Sequence, residues 1–264
     1  MADRQRMAEA ATRTPLLQVQ AVHKRFETAG GEVEALRAVS LAVARGEFVC
    51  LIGASGCGKS TLLRLIGGFE TPSEGQVLMD GTSITGPGPE RGMVFQDYGL
   101  FPWLSVRRNI EFGPAARGRP AAEVRATAER FIEIIGLARF AGAYPHQLSG
   151  GMKQRVAIAR VLANDAAAVL MDEPFGALDA MTRERLQDEL LSLWESTGLT
   201  VLFVTHAIEE AILLADRIIV MSPGPGRITA EIPVLLPRPR DVVSVPFNEL
   251  RRDLAALLHG PTPG

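Results

Sequence analysis

Hydrophobic and polar positions follow two periods along the chain. Leu16-Leu17-Gln18-Val19-Gln20-Ala21-Val22 alternates as a half-buried strand does, and Ser40-Leu41-Ala42-Val43 reads as its partner across the Gly30-Gly31 loop, so a small antiparallel sheet is expected first. Phe48-Val49-Cys50-Leu51-Ile52 is continuously apolar, the pattern of a strand covered on both faces, and Leu62-Leu63-Arg64-Leu65-Ile66 leads on as a helix. Pro72-Ser73-Glu74-Gly75 predicts a turn, Gln76-Val77-Leu78-Met79 a short strand, and Asp80-Gly81 a hairpin. After the Gly86-Pro87-Gly88-Pro89 loop, the run Met93-Val94-Phe95 ends in Gln96.

From about Asp97 to Ala163 the pattern becomes helical, with Ser105 as an N-cap, helical spacing over Ala121–Ile135, and a helix from Gly150 through Val156, Ile158, Ala159, Val161 and Leu162. Strands are expected at Ala168–Met171, Thr200–Thr205, Arg217–Met221 and Ile228–Val234. An amphipathic helix is expected over about Thr182–Glu195 and another over Phe247–Leu258.

Composition narrows the function classes. The 264 residues permit one large domain or two small ones. A formal net charge of −2, with no block of lysines or arginines, leaves no electrostatic footprint for nucleic acid. Cys50 and Cys57 sit in an apolar strand and a glycine-rich loop, so no disulfide framework is implied and a reducing cytoplasm is expected. Met1 to Thr14 lacks the apolar run of a signal peptide and reads as a disordered tail. No uninterrupted apolar stretch reaches the roughly eighteen residues of a membrane span, so any membrane role would be played against a partner.

The candidate chemistry centres on Gly53-Ala54-Ser55-Gly56-Cys57-Gly58-Lys59-Ser60-Thr61, which fits G-x-x-x-x-G-K-[ST] between an expected strand and an expected helix. Glycines let successive N–H groups turn inward toward an anion, and the helix start adds its positive dipole end. Lys59 is then placed to reach β- and γ-phosphates, and Ser60 to offer its hydroxyl to a magnesium ion, which favours hard oxygen ligands. Asp172-Glu173, at the end of an apolar strand, is the acidic pair expected beside such a loop, with Asp172 toward the metal and Glu173 toward an attacking water.

Other signals are open in themselves. Phe26 is either a core ring or a platform for adenine, and Gln96 either satisfies backbone or reaches toward a metal. Leu100-Phe101-Pro102-Trp103 is either a docking surface or filling for the helical insert. Ser149-Gly150-Gly151 makes a second anion-competent helix start or an ordinary cap, and His206 can bond a γ-phosphate or serve structure alone.

Taken in order, these segments resemble the ATP-binding cassette of ABC transporters over roughly Leu16 to Val234. Leu148-Ser149-Gly150-Gly151, within the helical insert between phosphate loop and acidic strand, is the most specific mark. The resemblance implies that two copies pack head to tail, each ATP lying between the phosphate loop of one and the Ser149–Gly151 helix start of the other. It further implies that Phe26 stacks on adenine, Gln96 is the Q-loop glutamine, Asp172 holds magnesium, Glu173 is the general base, Asp179 lies at the dimer contact and His206 is the switch histidine. Met152 and Ala207 depart from the family pattern, where glutamine and aspartate are usual.

Ile84–Gly92, Pro102-Trp103, Glu173–Asp179 and Ser222-Pro223-Gly224-Pro225-Gly226-Arg227 resemble importers of taurine, other aliphatic sulfonates and nitrate, the Gly86–Gly92 segment favouring taurine. The expected fold is α/β, a P-loop NTPase cassette with a mainly parallel sheet, an antiparallel β subdomain and a helical insert at about 97–163. Residues 1–15 would be a tail, 16–240 a single domain, and 241–264 an extension with a short helix.

The expected activity is hydrolysis of ATP with Mg2+, driving solute import through a separate membrane permease fed by a solute-binding protein. The chain would lie at the cytoplasmic face of the inner membrane. A soluble cassette of DNA repair or translation is the alternative, although the long coiled coils, tandem cassettes or basic arms usual there are not seen. A plain P-loop kinase would leave Ser149–Gly151 and His206 without a role.

Overall fold

The computed structural model describes residues 15–95, 97–176 and 178–259. The chain forms two compact units, one built from the residues up to Pro87 together with those from Leu191 onward, the other from Gly88–Leu190.

The first unit carries an antiparallel sheet of β1 (Leu17–Thr28), β2 (Gly31–Val43), β4 (Glu74–Met79) and β5 (Thr82–Ser83), in the order β2-β1-β4-β5. β1 and β2 pair from Leu17↔Val43 to Thr28↔Gly31. The strand therefore extends past Val22, where its apolar alternation stops, and Phe26 lies inside it rather than after it. Register shifts between Val19 and Arg25 explain the lost alternation, with Ala21 at φ 45° and its N–H donating to Ser40 Oγ at 3.0 Å. Glu74 and Gly75 belong to β4, where a turn was expected.

The same unit holds β10 (Ile228–Pro233), β9 (Arg217–Met221), β3 (Phe48–Gly53) and β8 (Thr200–Val204) side by side in that order. β3 runs parallel to both β8 and β9, while β10 is antiparallel to β9. Every residue of β3 is buried, as its unbroken apolar run requires. Phe48 packs edge-on against Trp194 with ring centroids 5.9 Å apart and touches Phe203 at 6.0 Å, closing one end of this core. Helix α1 (Lys59–Gly67) follows β3, buries Leu62, Leu63, Leu65 and Ile66, and ends on Gly68 at φ 76°, the left-handed residue that lets a helix stop sharply.

In the second unit β6 (Arg91–Val94) pairs in parallel with β7 (Ala168–Asp172). Helices α2 (Val106–Ala116), α3 (Ala121–Ile134) and α4 (Gly150–Leu162) pack on one another. Ser105 caps α2 by accepting from the Arg108 N–H at 3.3 Å. Contact between α4 and β6 is so close that a Cβ on Gly92 would stand 1.9 Å from Val161 Cγ1. Helix α5 (Ala180–Thr197) contains the division between the units. Helix α6 (Ile208–Leu214), which the sequence pattern did not reveal, and helix α7 (Val245–His259) complete the first unit. Among the described residues no helix is long and apolar enough to cross a membrane.

Candidate functional site

The phosphate loop joins the buried end of β3 to the start of α1, the strand–loop–helix context its motif requires. Gly56 and Gly58 have φ of 78° and 91°, values that L side chains rarely adopt, so these two positions turn the chain where other residues would strain it. A Cβ on Gly58 would also stand 2.5 Å from Leu36 Cδ2, because β2 backs the loop. Ala54, Ser55 and Gly56 form the exposed lip, whereas Cys57 and Lys59 are buried. Lys59, 5% exposed, donates from Nζ to the Gly53 carbonyl at 2.8 Å and to the Ala54 carbonyl at 3.1 Å. Its ammonium is thus drawn across the loop by the loop's own carbonyls. Ser60 and Thr61 lie in the first turn of α1, whose first N–H groups lie beyond any intrahelical acceptor and favour an anion.

The same unit contains Phe26 and His206. Phe26 is half-buried in β1 opposite Val33, with Lys24 Nζ 4.7 Å from its ring centroid. His206 is exposed in the short turn between β8 and α6. That turn is fastened by Thr205, whose hydroxyl donates to Glu210 Oε2 at 2.6 Å and accepts from the Ala207 N–H at 3.0 Å.

The second unit holds the acidic pair and the signature. Asp172 ends β7, and Glu173 follows with φ 47°, left-handed for a non-glycine residue. Backbone held in this region stores strain, and such positions cluster at functional sites. Both carboxylates are half-buried and engaged. Asp179 accepts from the Thr182 N–H at 3.0 Å, and hydrogen bonds from Thr182 hold its carboxyl below the usual range.

Ser149 is the N-cap of α4, accepting from the Met152 N–H at 3.3 Å. A Cβ on Gly151 would meet Leu186 Cδ2 at 2.9 Å and one on Gly150 would meet Leu178 Cδ2 at 3.1 Å, so both glycines lie close under leucine side chains. Met152 is half-buried. Gln96, expected at this site, lies outside the described residues.

Asn109 is a buried polar residue that the sequence pattern missed. It is fully buried in α2, accepts from the Phe101 N–H at 2.9 Å and donates to the carbonyls of Phe101, Leu104 and Ser105 at 2.9–3.2 Å. One amide therefore fixes the whole Phe101–Ser105 loop. Phe101 packs against Phe112 with centroids 4.5 Å apart, while Trp103 is 70% and Phe112 48% exposed. The exposed apolar surface here is thus carried by Trp103 of the loop and Phe112 of α2, while Leu100 and Phe101 are half-buried.

Ser60 and Asp172, one in each unit, each carry an oxygen of the hard kind that magnesium favours. Among the described residues no group of three or more His, Cys, Asp and Glu could hold a metal ion by itself.

Comparison with known proteins identifies the class. The ABC transporter family model matches residues 36–176. An uncharacterised ABC transporter ATP-binding protein of Methanocaldococcus jannaschii is 50% identical over 92% of this chain and 91% of its own length. The nitrate import ATP-binding protein of Synechocystis is 49% identical over 84% of this chain and 83% of its own, and the taurine import ATP-binding protein of Roseobacter denitrificans 49% over 81% of each.

Among solved structures, an ATP-binding cassette captured as a dimer in a post-hydrolysis state with ADP and Pi is 35% identical, with a TM-score of 0.70 over 83% of this chain and 98% of that one. A cassette of an ABC transporter complex from Clostridium perfringens is 28% identical, with a TM-score of 0.74 over 93% and 98%. The chain belongs to the ABC transporter family. It has the P-loop fold of that family's ATP-binding cassette and is an ATPase of that class.

Proposed function

We propose that this chain is the ATP-hydrolysing subunit of an importer for a small anionic or zwitterionic solute, taurine or another aliphatic sulfonate first and nitrate second. It would work from the cytoplasmic face through a separate membrane permease fed by a solute-binding protein. The observation that carries this reading is the near-half identity, over most of both chains, to ATP-binding proteins named for nitrate and taurine import. The alternative of a soluble cassette in DNA repair or translation has no comparable support.

In this reading the loop N–H groups from Gly53 to Thr61, with Lys59, hold the β- and γ-phosphates, and Phe26 stacks on adenine. Ser60 and Asp172 hold the magnesium ion, with Gln96 beside it; the ion neutralises phosphate charge when bound. Glu173 takes a proton from the attacking water and His206 hydrogen-bonds the γ-phosphate. Ser149, Gly150 and Gly151 of a second copy complete the phosphate contacts, so ATP is part of a head-to-tail dimer interface and nucleotide favours the dimer by mass action. The exposed Trp103 and Phe112, braced by Asn109, form the face that meets the permease.

The test is reconstitution with the permease and binding protein into vesicles containing ATP. Taurine-loaded binding protein should stimulate turnover more than nitrate-loaded protein, with uptake of the same solute. Turnover indifferent to both solutes would overturn the assignment.

A further inference from the structure

We propose that the segment from Val234 to His259 is a positioning clamp for His206, acting through the two ends of helix α6. This rests on the reading of His206 as a γ-phosphate ligand.

The helix that follows His206 is only seven residues long, and a helix of that length is marginal unless its surroundings hold it. Its N-cap residue, Ala207, provides no side-chain hydrogen bond. The Thr205–Glu210 bond nevertheless ties the histidine turn to the first turn of α6, so wherever α6 lies, His206 follows. What locates α6 therefore locates the histidine.

At the carboxyl end of α6 two arginines from the chain after β10 take up the last carbonyls, which have no intrahelical donors. Arg240 Nη1 donates to Ile212, Leu213 and Ala215 at 2.5–3.2 Å, and Arg238 Nη2 donates to Leu214 at 2.6 Å. Both guanidinium groups also oppose the negative end of the helix dipole. They are themselves anchored: Arg238 Nη1 pairs with Asp216 at 2.9 Å and its guanidinium lies 4.7 Å from the Trp194 ring, while Arg240 Nε donates to the Leu236 carbonyl at 3.0 Å.

At the amino end the contact comes from α7. Arg251 Nη1 donates to Glu209 Oε1 at 2.7 Å, and α7 is fixed in the core by Phe247 and Leu254, both essentially buried. An open cleft of about 440 Å³ separates His206–Glu209 from Arg251, Arg252 and Ala255. The Arg251–Glu209 bridge lies on the wall of that cleft. The clamp holds α6 at both ends, and with it the turn that carries the histidine.

A charge swap tests the bridge. Arg251 and Glu209 are 46% and 57% exposed, and exposed pairs contribute little to folding, so the melting temperature should hardly move. Arg251→Glu and Glu209→Arg should each lower kcat for ATP about fivefold with KM within about twofold, because the phosphate loop and Lys59 carry most of the ground-state binding while the histidine contact bears on the γ-phosphate as it is transferred. The double variant should return kcat to within about twofold of wild type.

His206→Ala is the control. If it is inactive while either single variant keeps wild-type kcat, or while the swap fails to rescue, or while KM rises at constant kcat, the clamp is overturned and the histidine reading stands. A His206→Ala protein at wild-type rate removes that reading and the clamp with it.

Discussion

Gly226 lies directly against Cys57: a Cβ on the glycine would stand 2.0 Å from the Cys57 carbonyl oxygen, in the middle of the phosphate loop. Gly226 also donates its N–H to the Ala35 carbonyl at 2.9 Å and accepts from the Arg37 N–H at 3.0 Å, so it cannot retreat. The loop after β9 and strand β2 thus form a rigid backing for the nucleotide loop. Gly226→Ala should push the Cys57 backbone and weaken ATP binding by about tenfold or more, since a misaimed set of N–H groups loses several charge-assisted hydrogen bonds at once. A binding titration on the folded variant checks this, and unchanged affinity would show that the backing yields.

Lys59→Ala should lose nucleotide affinity by about ten- to a hundredfold, the loss expected for hydrogen bonds to a charged group. Its Nζ spans the Gly53 and Ala54 carbonyls, which would then lose their shared donor, so the unliganded loop should also loosen. Hydrogen exchange over residues 53–61 and an ATP titration read the two effects separately.

The phosphate loop was legible because everything it needs is local: glycines at fixed spacing between an apolar run and a helix. The Leu148–Gly151 signature was legible for the same reason. The backing by Gly226 was not, because it joins residues far apart in sequence, and Ser222–Arg227 stood out only as a family-like segment.

β1 appeared to stop at Val22 because its register shifts abolish the two-residue alternation there. Helix α6 escaped notice because seven residues give too few turns for a period to emerge, its N-cap Ala207 carries no capping side chain, and its carboxyl end is met by Arg238 and Arg240 from later in the chain. The loop after Gln96 was seen as apolar, but which of its side chains face out was decided by Asn109, whose four hydrogen bonds no pattern announces.

Trp103→Ser combined with Phe112→Ser should impair ATP-driven transport by the reconstituted complex while leaving basal ATPase within about twofold, since both rings are exposed and truncating them costs the fold little. Uptake at the wild-type rate by this double variant would mean that the patch meets no permease.

Met152→Gln should change turnover by less than about tenfold in either direction, because one water-replaceable hydrogen bond is worth on the order of 1 kcal/mol. Ser149→Arg should abolish turnover, replacing the cap that holds the Met152 N–H and placing bulk where the proposed phosphate contact lies. Steady-state ATPase assays of the two variants distinguish a backbone-built signature from one that depends on the fifth side chain.

The assignment of Glu173 as general base is tested most directly by single-turnover hydrolysis with Glu173→Gln, paired with an ATP binding titration. Glutamine is nearly the same size and keeps an acceptor oxygen, but it cannot take the proton from water. Turnover should fall by a factor of about a hundred or more with ATP affinity within about threefold of wild type, and sedimentation with ATP and magnesium should reveal a dimer. Hydrolysis at the wild-type rate, with nucleotide binding intact, would contradict the account.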